Sequence, residues 1–217
     1  MKVETQRRID RTVGTIICRI FSICYKIFKK ESPRNETQNI LIILLSEMGA
    51  LVLGYPMLQR LKKKFPAACL HIMLFEKNRE VVELLGVIPP ENIMTINDST
   101  MPVFVKSALG ALAHMRRLKI DTVIDCELFS RVSSIFSFLS GAAIRVGFHP
   151  HTQEGLYRGN CMNRPVLYNP YQHISRQFIT LVEAIDSTTA PKAKYMITEE
   201  KLEIPAIKFE PAEIEDA

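Results

Sequence analysis

The hydrophobic pattern of residues 39–61, NILIILLSEMGALVLGYPMLQRL, organises the chain. Residues 40–45 are an unbroken apolar run, too short for a buried helix, and predict a strand covered on both faces. Ser46-Glu47-Met48-Gly49 breaks the run. Leu51, Leu53, Met57, Leu58 and Leu61 then recur at helical spacing, and Lys62, Lys63 and Lys64 close that helix at its negative end. A buried strand, a glycine turn and a helix N-terminus in succession make the edge of an α/β ligand site, where the first helical amides collect anions.

The alternation repeats downstream. Residues 69–75 (CLHIMLF), 92–96, 122–126 (TVIDC) and 144–148 (IRVGF) predict strands. Residues 78–85, 102–118, 129–139 and 173–185 predict helices, with Gly86 and Gly141 as stop signals. Strands alternating with helices imply right-handed βαβ units. The expected fold class is therefore α/β, a Rossmann-like, doubly wound, mostly parallel sheet over residues 39–186. Residues 149–172 read as a long polar loop. Residues 187–217 carry Pro191, Pro205, Pro211 and seven acidic residues, and read as an exposed tail with at most one more strand, at 194–197.

Ahead of this body, residues 9–30 predict an amphipathic helix. Ile9, Val13, Ile16, Ile17, Ile20, Ile23, Cys24, Ile27 and Phe28 follow the i, i+3/i+4, i+7 rule. Arg8, Arg11, Arg19, Lys26, Lys29 and Lys30 lie on the other side with Thr15 and Ser22. Arg19 and Lys26 interrupt the apolar run, so no uncharged stretch reaches the ~20 residues that span a bilayer. The apolar stretch also lacks the charge-free core and small-residue cleavage site of a signal peptide. Two readings remain: an interfacial helix lying on an anionic membrane, its basic residues toward head groups, or a helix packed on its own or a second domain. Residues 31–38, ESPRNETQ, read as a linker.

Charge favours the membrane reading. The net charge is +5, yet residues 1–30 hold eight Lys/Arg against Glu4 and Asp10, while the remaining 187 residues hold 20 basic and 21 acidic groups. The body is thus no general nucleic-acid binder, and the absence of Trp argues against a stacking platform for single strands. The five cysteines, Cys18, Cys24, Cys69, Cys126 and Cys161, form no C-x-x-C pair and read as buried thiols of a reducing compartment. No G-x-G-x-x-G follows the first strand, and G-K-[ST] and G-x-S-x-G are missing, which removes the dinucleotide, P-loop and serine-hydrolase readings. His149 and His151 form an H-x-H without a third ligand, too little to name a metal site, and the pattern calls for no cofactor.

Several ordered stretches, ILIILLSEMGALVLGYPMLQRLKKKFP, HIMLFEKNREVVELL, IDTVIDCELFSRVSSIFSFLSGAAIRVGFH, EGLYRGN and YNPYQHISRQF, resemble glycosyltransferase family 9, which contains the ADP-heptose:lipopolysaccharide heptosyltransferases. The resemblance covers about residues 38–186. It implies the N-terminal, acceptor-binding half of a GT-B fold, in which a second Rossmann-like domain binds the nucleotide sugar. It also implies an inverting, metal-independent transfer to a glycolipid or lipopolysaccharide-type acceptor, and the amphipathic helix adds the expectation that the chain lies at the inner face of the bacterial cytoplasmic membrane. The chain departs from the family at two points. Where the family commonly places an aspartate, the proposed general base, this chain has Ala50, and alanine takes no proton. Glu47 in the same turn is the nearest stand-in, or else a solvated helix-start residue. The tail resembles the linker into the donor domain, so the expectation is a truncated frame, a fragment or one subunit of a split enzyme. The alternative is a non-catalytic membrane-associated α/β binding protein, a relic of such an enzyme.

Ligands of doubly wound sheets bind beyond the carboxyl ends of the strands, which gathers Ser46, Glu47, Gly49, Asp125, Glu127, Ser130 and Arg131 around one crevice. Arg131 would hold an acceptor phosphate or carboxylate, or pair with Asp125 or Glu127. Tyr157 and Arg158 match a family motif, which implies an acceptor-facing role. His173 and Arg176, one turn apart, offer an anion contact or a surface polar contact.

Overall fold

Apolar runs that can be buried on two faces pair as central strands, and the amphipathic segments between them cover the sheet. In a computed structural model of the protein, which describes residues 3–27, 37–45, 48–149 and 157–186 together with Pro205, the strands are β1 (Asn39–Ile43), β2 (Cys69–Phe75), β3 (Ile93–Ile96), β4 (Thr122–Asp125), β5 (Ile144–Phe148) and β6 (Arg164–Val166). They form one all-parallel sheet in the order β3-β2-β1-β4-β5-β6. The direction of winding reverses between β1 and β4, as a doubly wound sheet requires.

The helices are α1 (Val3–Ile9), α2 (Thr15–Ile27), α3 (Met48–Leu53), α4 (Tyr55–Lys64), α5 (Arg79–Leu85), α6 (Met101–Arg117), α7 (Arg131–Leu139) and α8 (Ile174–Glu183). Each of Ile40, Leu41, Ile42 and Ile43 is 0% exposed, so β1 is covered on both faces as its unbroken apolar run predicts. Ile40, Ile42 and Leu44 join a core with Leu58, Leu61, Val82, Phe178 and Leu181, from α4, α5 and α8. Leu41, Ile43 and Leu45 join another with Met94, Ala111, Met115 and Phe136, from β3, α6 and α7. Across the first face Glu183 of α8 accepts from Arg60 Nε at 2.7 Å and Lys64 Nζ at 2.9 Å, tying α8 to α4.

Three details differ from the sequence reading. The single helix expected after β1 is two, α3 and α4, interrupted at Gly54. Pro56 in the first turn of α4 has no N–H to continue the earlier ladder, and pre-sets the dihedral angle of a new helix start. The loop expected over 149–172 contains β6, an edge strand paired with β5 through Val146–Arg164, Gly147–Pro165 and Phe148–Val166. Its Pro165 is tolerated because an edge strand has a side that needs no donor. The N-terminal helix begins at Val3, and Asp10–Gly14 joins α1 to α2 as a π-helical segment, which shifts the phase of the residues that follow. Residues 28–36 and the proposed strand at 194–197 lie outside the described residues.

Candidate functional site at the winding reversal

The register Ile43–Asp125 brings the carboxyl ends of β1 and β4 side by side, and the Cys126 amide donates to the Ile43 carbonyl at 3.0 Å. Beyond them Leu45 is held from three directions. Its amide donates to Glu127 Oε1 at 2.7 Å, and its carbonyl accepts from the Phe75 amide and from Asn78 Nδ2, each at 3.1 Å. The Glu127 amide in turn donates to Asp125 Oδ1 at 3.0 Å. The chain therefore leaves β1 on a fixed course, with the Glu127 carboxylate beside the start of the following turn. Ser46 and Glu47 of that turn lie outside the described residues. Gly49 is the second residue of α3, and among the described residues a Cβ there would meet no atom within 4 Å beyond its chain neighbours and its own helix backbone.

Asp125 is 0% exposed, and Arg158, from the segment between β5 and β6, reaches it. Arg158 Nη2 donates to Asp125 Oδ2 at 2.5 Å and to Ser133 Oγ at 2.8 Å, while its Nε donates to the Ser130 carbonyl at 2.9 Å. Ser133 Oγ also donates to Asp125 Oδ2 at 3.0 Å. Burial pushes the Asp125 carboxyl up from its ordinary value, against the opposing pull of Arg158, the Glu127 amide and Ser133. Arg158 is 1% exposed, so the structure places it in an internal ion pair rather than on an open crevice wall.

Arg131 finds neither of the partners considered from sequence. Its Nη1 donates to Asp10 Oδ2 at 3.1 Å, across from the N-terminal helix. Asp10 Oδ1 accepts from the backbone amides of Arg131 and Val132 at 2.9 and 3.0 Å. A carboxylate from a distant helix thus caps α7, where unsatisfied amides and the helix dipole favour negative charge. Tyr157 is likewise turned to that helix: its hydroxyl lies 3.0 Å from Ser22 Oγ, which also accepts from the Asn160 amide at 2.8 Å. His173 is the N-cap of α8 and accepts from the Ser175 amide through Nδ1 at 3.3 Å. Arg176, one turn on, is half-buried.

Burial favours the neutral form of the interior thiols. Burial is the leading cause that pushes Cys18 up to about 12 and Cys161 up to about 11, and it raises Cys126 as well. Cys69 is exposed, unlike these three. Among the described residues no group of three His, Cys, Asp or Glu is placed to hold a metal ion.

An open parallel sheet with its winding reversal beside buried carboxylates defines an α/β protein of the doubly wound kind. Solved structures narrow the likeness. The chain matches a glycosyltransferase family 9 protein from Veillonella parvula with TM-score 0.60 at 16% identity, over 73% of this chain and 44% of that one. It matches E. coli ADP-heptose lipopolysaccharide heptosyltransferase II with TM-score 0.62 at 14% identity, over 82% and 49%. The E. coli heptosyltransferase WaaC, solved with ADP-2-deoxy-2-fluoro heptose, matches with TM-score 0.58 at 15% identity, over 72% and 51%. The chain thus has the fold of half of a heptosyltransferase and spans about half the length of these proteins. No family model and no curated protein matches its sequence.

Proposed function

We propose that the chain is the acceptor-side half of a sugar transferase that takes a glycosyl group from a nucleoside-diphosphate sugar to a glycolipid or lipopolysaccharide-type acceptor at the inner face of a bacterial cytoplasmic membrane. The observation that carries the reading is the paired carboxyl edge of β1 and β4 at the winding reversal, where the Leu45 amide is anchored on Glu127, in a fold shared with a solved family 9 glycosyltransferase and two solved heptosyltransferases. In this reading a carboxylate at the turn takes the proton from an acceptor hydroxyl, which attacks the anomeric carbon while the nucleoside diphosphate leaves with the bonding electrons. Glu47 is the proposed base in place of the aspartate for which Ala50 stands. Glu127 is the second carboxylate at this edge, anchored on the Leu45 amide. Arg131 and Arg158 support the site from within through Asp10 and Asp125, and Tyr157, His173 and Arg176 stand nearer the surface for an acceptor.

Donor binding belongs to the other half of the two-domain architecture, on the same or a separate polypeptide. The test is calorimetric titration with nucleoside-diphosphate sugars, of the 217-residue chain alone and with the polypeptide encoded downstream. Binding only in the presence of the second polypeptide, followed by transfer that Glu47→Gln abolishes, is the expected result. Full transfer by Glu47→Gln moves the base to Glu127. Transfer that survives in the variant lacking both carboxylates refutes the mechanism.

A further inference from the structure

The N-terminal helix is amphipathic, and the domain takes its less apolar side. Asp10, Gly14, Cys18 and Ser22, spaced four apart, face inward. Asp10 caps α7. Gly14 lies so close that a Cβ would come within 3.0 Å of Arg131 Cβ. Ser22 bonds to the Tyr157–Asn160 segment, and a Cβ on Gly159 of that segment would lie 3.1 Å from Cys18 Cβ. Phe21 stacks on Phe138 at 4.7 Å, and the Arg145 guanidinium sits 5.2 Å from the Tyr25 ring. With that face committed, the stripe Val13, Ile16, Ile20, Ile23 and Ile27 points to solvent, each residue 50–69% exposed. Turning the helix to bury the stripe would break the α7 cap, both glycine approaches and the ring contacts.

Five exposed branched side chains in one row are costly in water. The rim of the stripe indicates what covers it. Arg19 stands one turn from both Ile16 and Ile23, Lys26 one turn from Ile23, and both are exposed, as are Arg8 and Arg11. Asp10, the acidic group nearest them in sequence, is spent on α7. A second copy of the chain would bring basic rims together at a two-fold interface, whereas a negatively charged lipid surface takes both the stripe and its rim. No helix among the described residues is long and apolar enough to cross a membrane, and an apolar stripe with a basic rim is the pattern of helices that lie in the plane of an interface.

We infer that the outer face of the helix running from Val3 to Ile27 is a docking surface for an anionic bilayer, with Ile16, Ile20 and Ile23 inserted among the acyl chains and Arg19 and Lys26 at the head groups. The Asp10 bridge makes the helix a rigid foot and not a tether. It sets the carboxyl end of β4 and the start of α7 at a fixed place relative to the lipid. The inference deepens the membrane-facing part of the proposed function and rests on that part alone, not on sugar transfer.

The test is co-sedimentation of the full chain with phosphatidylcholine vesicles, with and without phosphatidylglycerol, in the absence of any sugar nucleotide. The chain is expected to sediment with the anionic vesicles and to release with added salt. The variant I20D/I23D, altered only at exposed positions, should keep the wild-type melting temperature and lose at least roughly tenfold in partitioning, since two apolar side chains that would enter the acyl region are replaced by charges the lipid repels. The chain contains no Trp, so Ile20→Trp reports insertion directly: its emission shifts to the blue on anionic vesicles, while that of Tyr25→Trp, set against Arg145, does not. Absence of wild-type binding, or unchanged binding by I20D/I23D, overturns the inference. So does a wild-type dimer that the same variant converts to monomer without any lipid effect. Because the assay contains no donor, its failure leaves the transfer reading untouched, and failed transfer leaves vesicle docking to stand or fall by itself.

Discussion

Arg158→Met removes one partner of the most deeply buried ion pair described in the molecule. The two side chains are 1% and 0% exposed, and Asp125 Oδ2 loses the guanidinium donor at 2.5 Å. Ser133 Oγ and the Ser130 carbonyl lose their bonds to Arg158 at 2.8 and 2.9 Å. Methionine fills much of the volume, so the cost is electrostatic: a carboxylate left in the interior without its cation. Breaking a buried pair from one side costs about 3–5 kcal/mol. For a chain of this size each kcal/mol shifts Tm by about 2–4 °C, so a fall of roughly 10 °C is expected. The pH dependence gives a second, independent mark. Without Arg158 the Asp125 carboxyl is held further above its ordinary value, so the folded variant keeps a proton that the unfolded chain has released. Stability of the variant then drops as pH rises from the carboxylate range through the raised value, and its deficit against wild type narrows toward acid. Urea unfolding across that pH range, with the double variant R158M/D125L as control, is the measurement. The double variant should recover most of the loss, because no charge is left unpaired. A loss under about 1 kcal/mol, or a deficit independent of pH, would refute the argument and return Arg158 to the pool of groups free to bind a ligand.

Two further perturbations address the rest of the molecule. Gly159→Ala places a Cβ on a backbone with φ of +80° and within 3.1–3.2 Å of Cys18 and Ser22, so it should cost at least about 1 kcal/mol and speed amide exchange over residues 10–27 more than elsewhere. His71 is buried in β2, with neither ring nitrogen bonded to a described residue, and burial, aided by nearby His114, holds it below its ordinary value of 6.5. Between the lowered value and 6.5 the unfolded chain takes up a proton that the folded one refuses, so stability is lost as pH falls through that window. His71→Leu should flatten the urea midpoint there, and an unaltered slope would show that the ring titrates normally.

The strand–helix order, the parallel sheet and the winding reversal were legible in the sequence because they rest on local periodicity and on the rule that parallel strands need crossover helices. Residues 40–45 could be read as a doubly covered strand because nothing in the run tolerates water. The gathering of Asp125, Glu127 and Arg131 at one edge followed from topology alone. Their partners did not. Arg131 was weighed against Asp125 and Glu127, its neighbours in sequence, yet the bond goes to Asp10, 121 residues away. Arg158, read as facing an acceptor, closes on Asp125 from 33 residues away. Ion pairs of that kind are set by which elements abut in space, and no periodic signal records them. The N-terminal helix shows the same division. Its pattern announced two faces, and the two readings, packed on the domain or lying on a membrane, were posed as alternatives. Tertiary structure decided that a face of small residues, with the Asp10 cap and the close approaches at Gly14 and Gly159, meets the domain, leaving the isoleucine stripe outside. Amphipathicity fixes that a helix has an apolar side, but only shape and hydrogen-bond complementarity fix which side the protein keeps for itself.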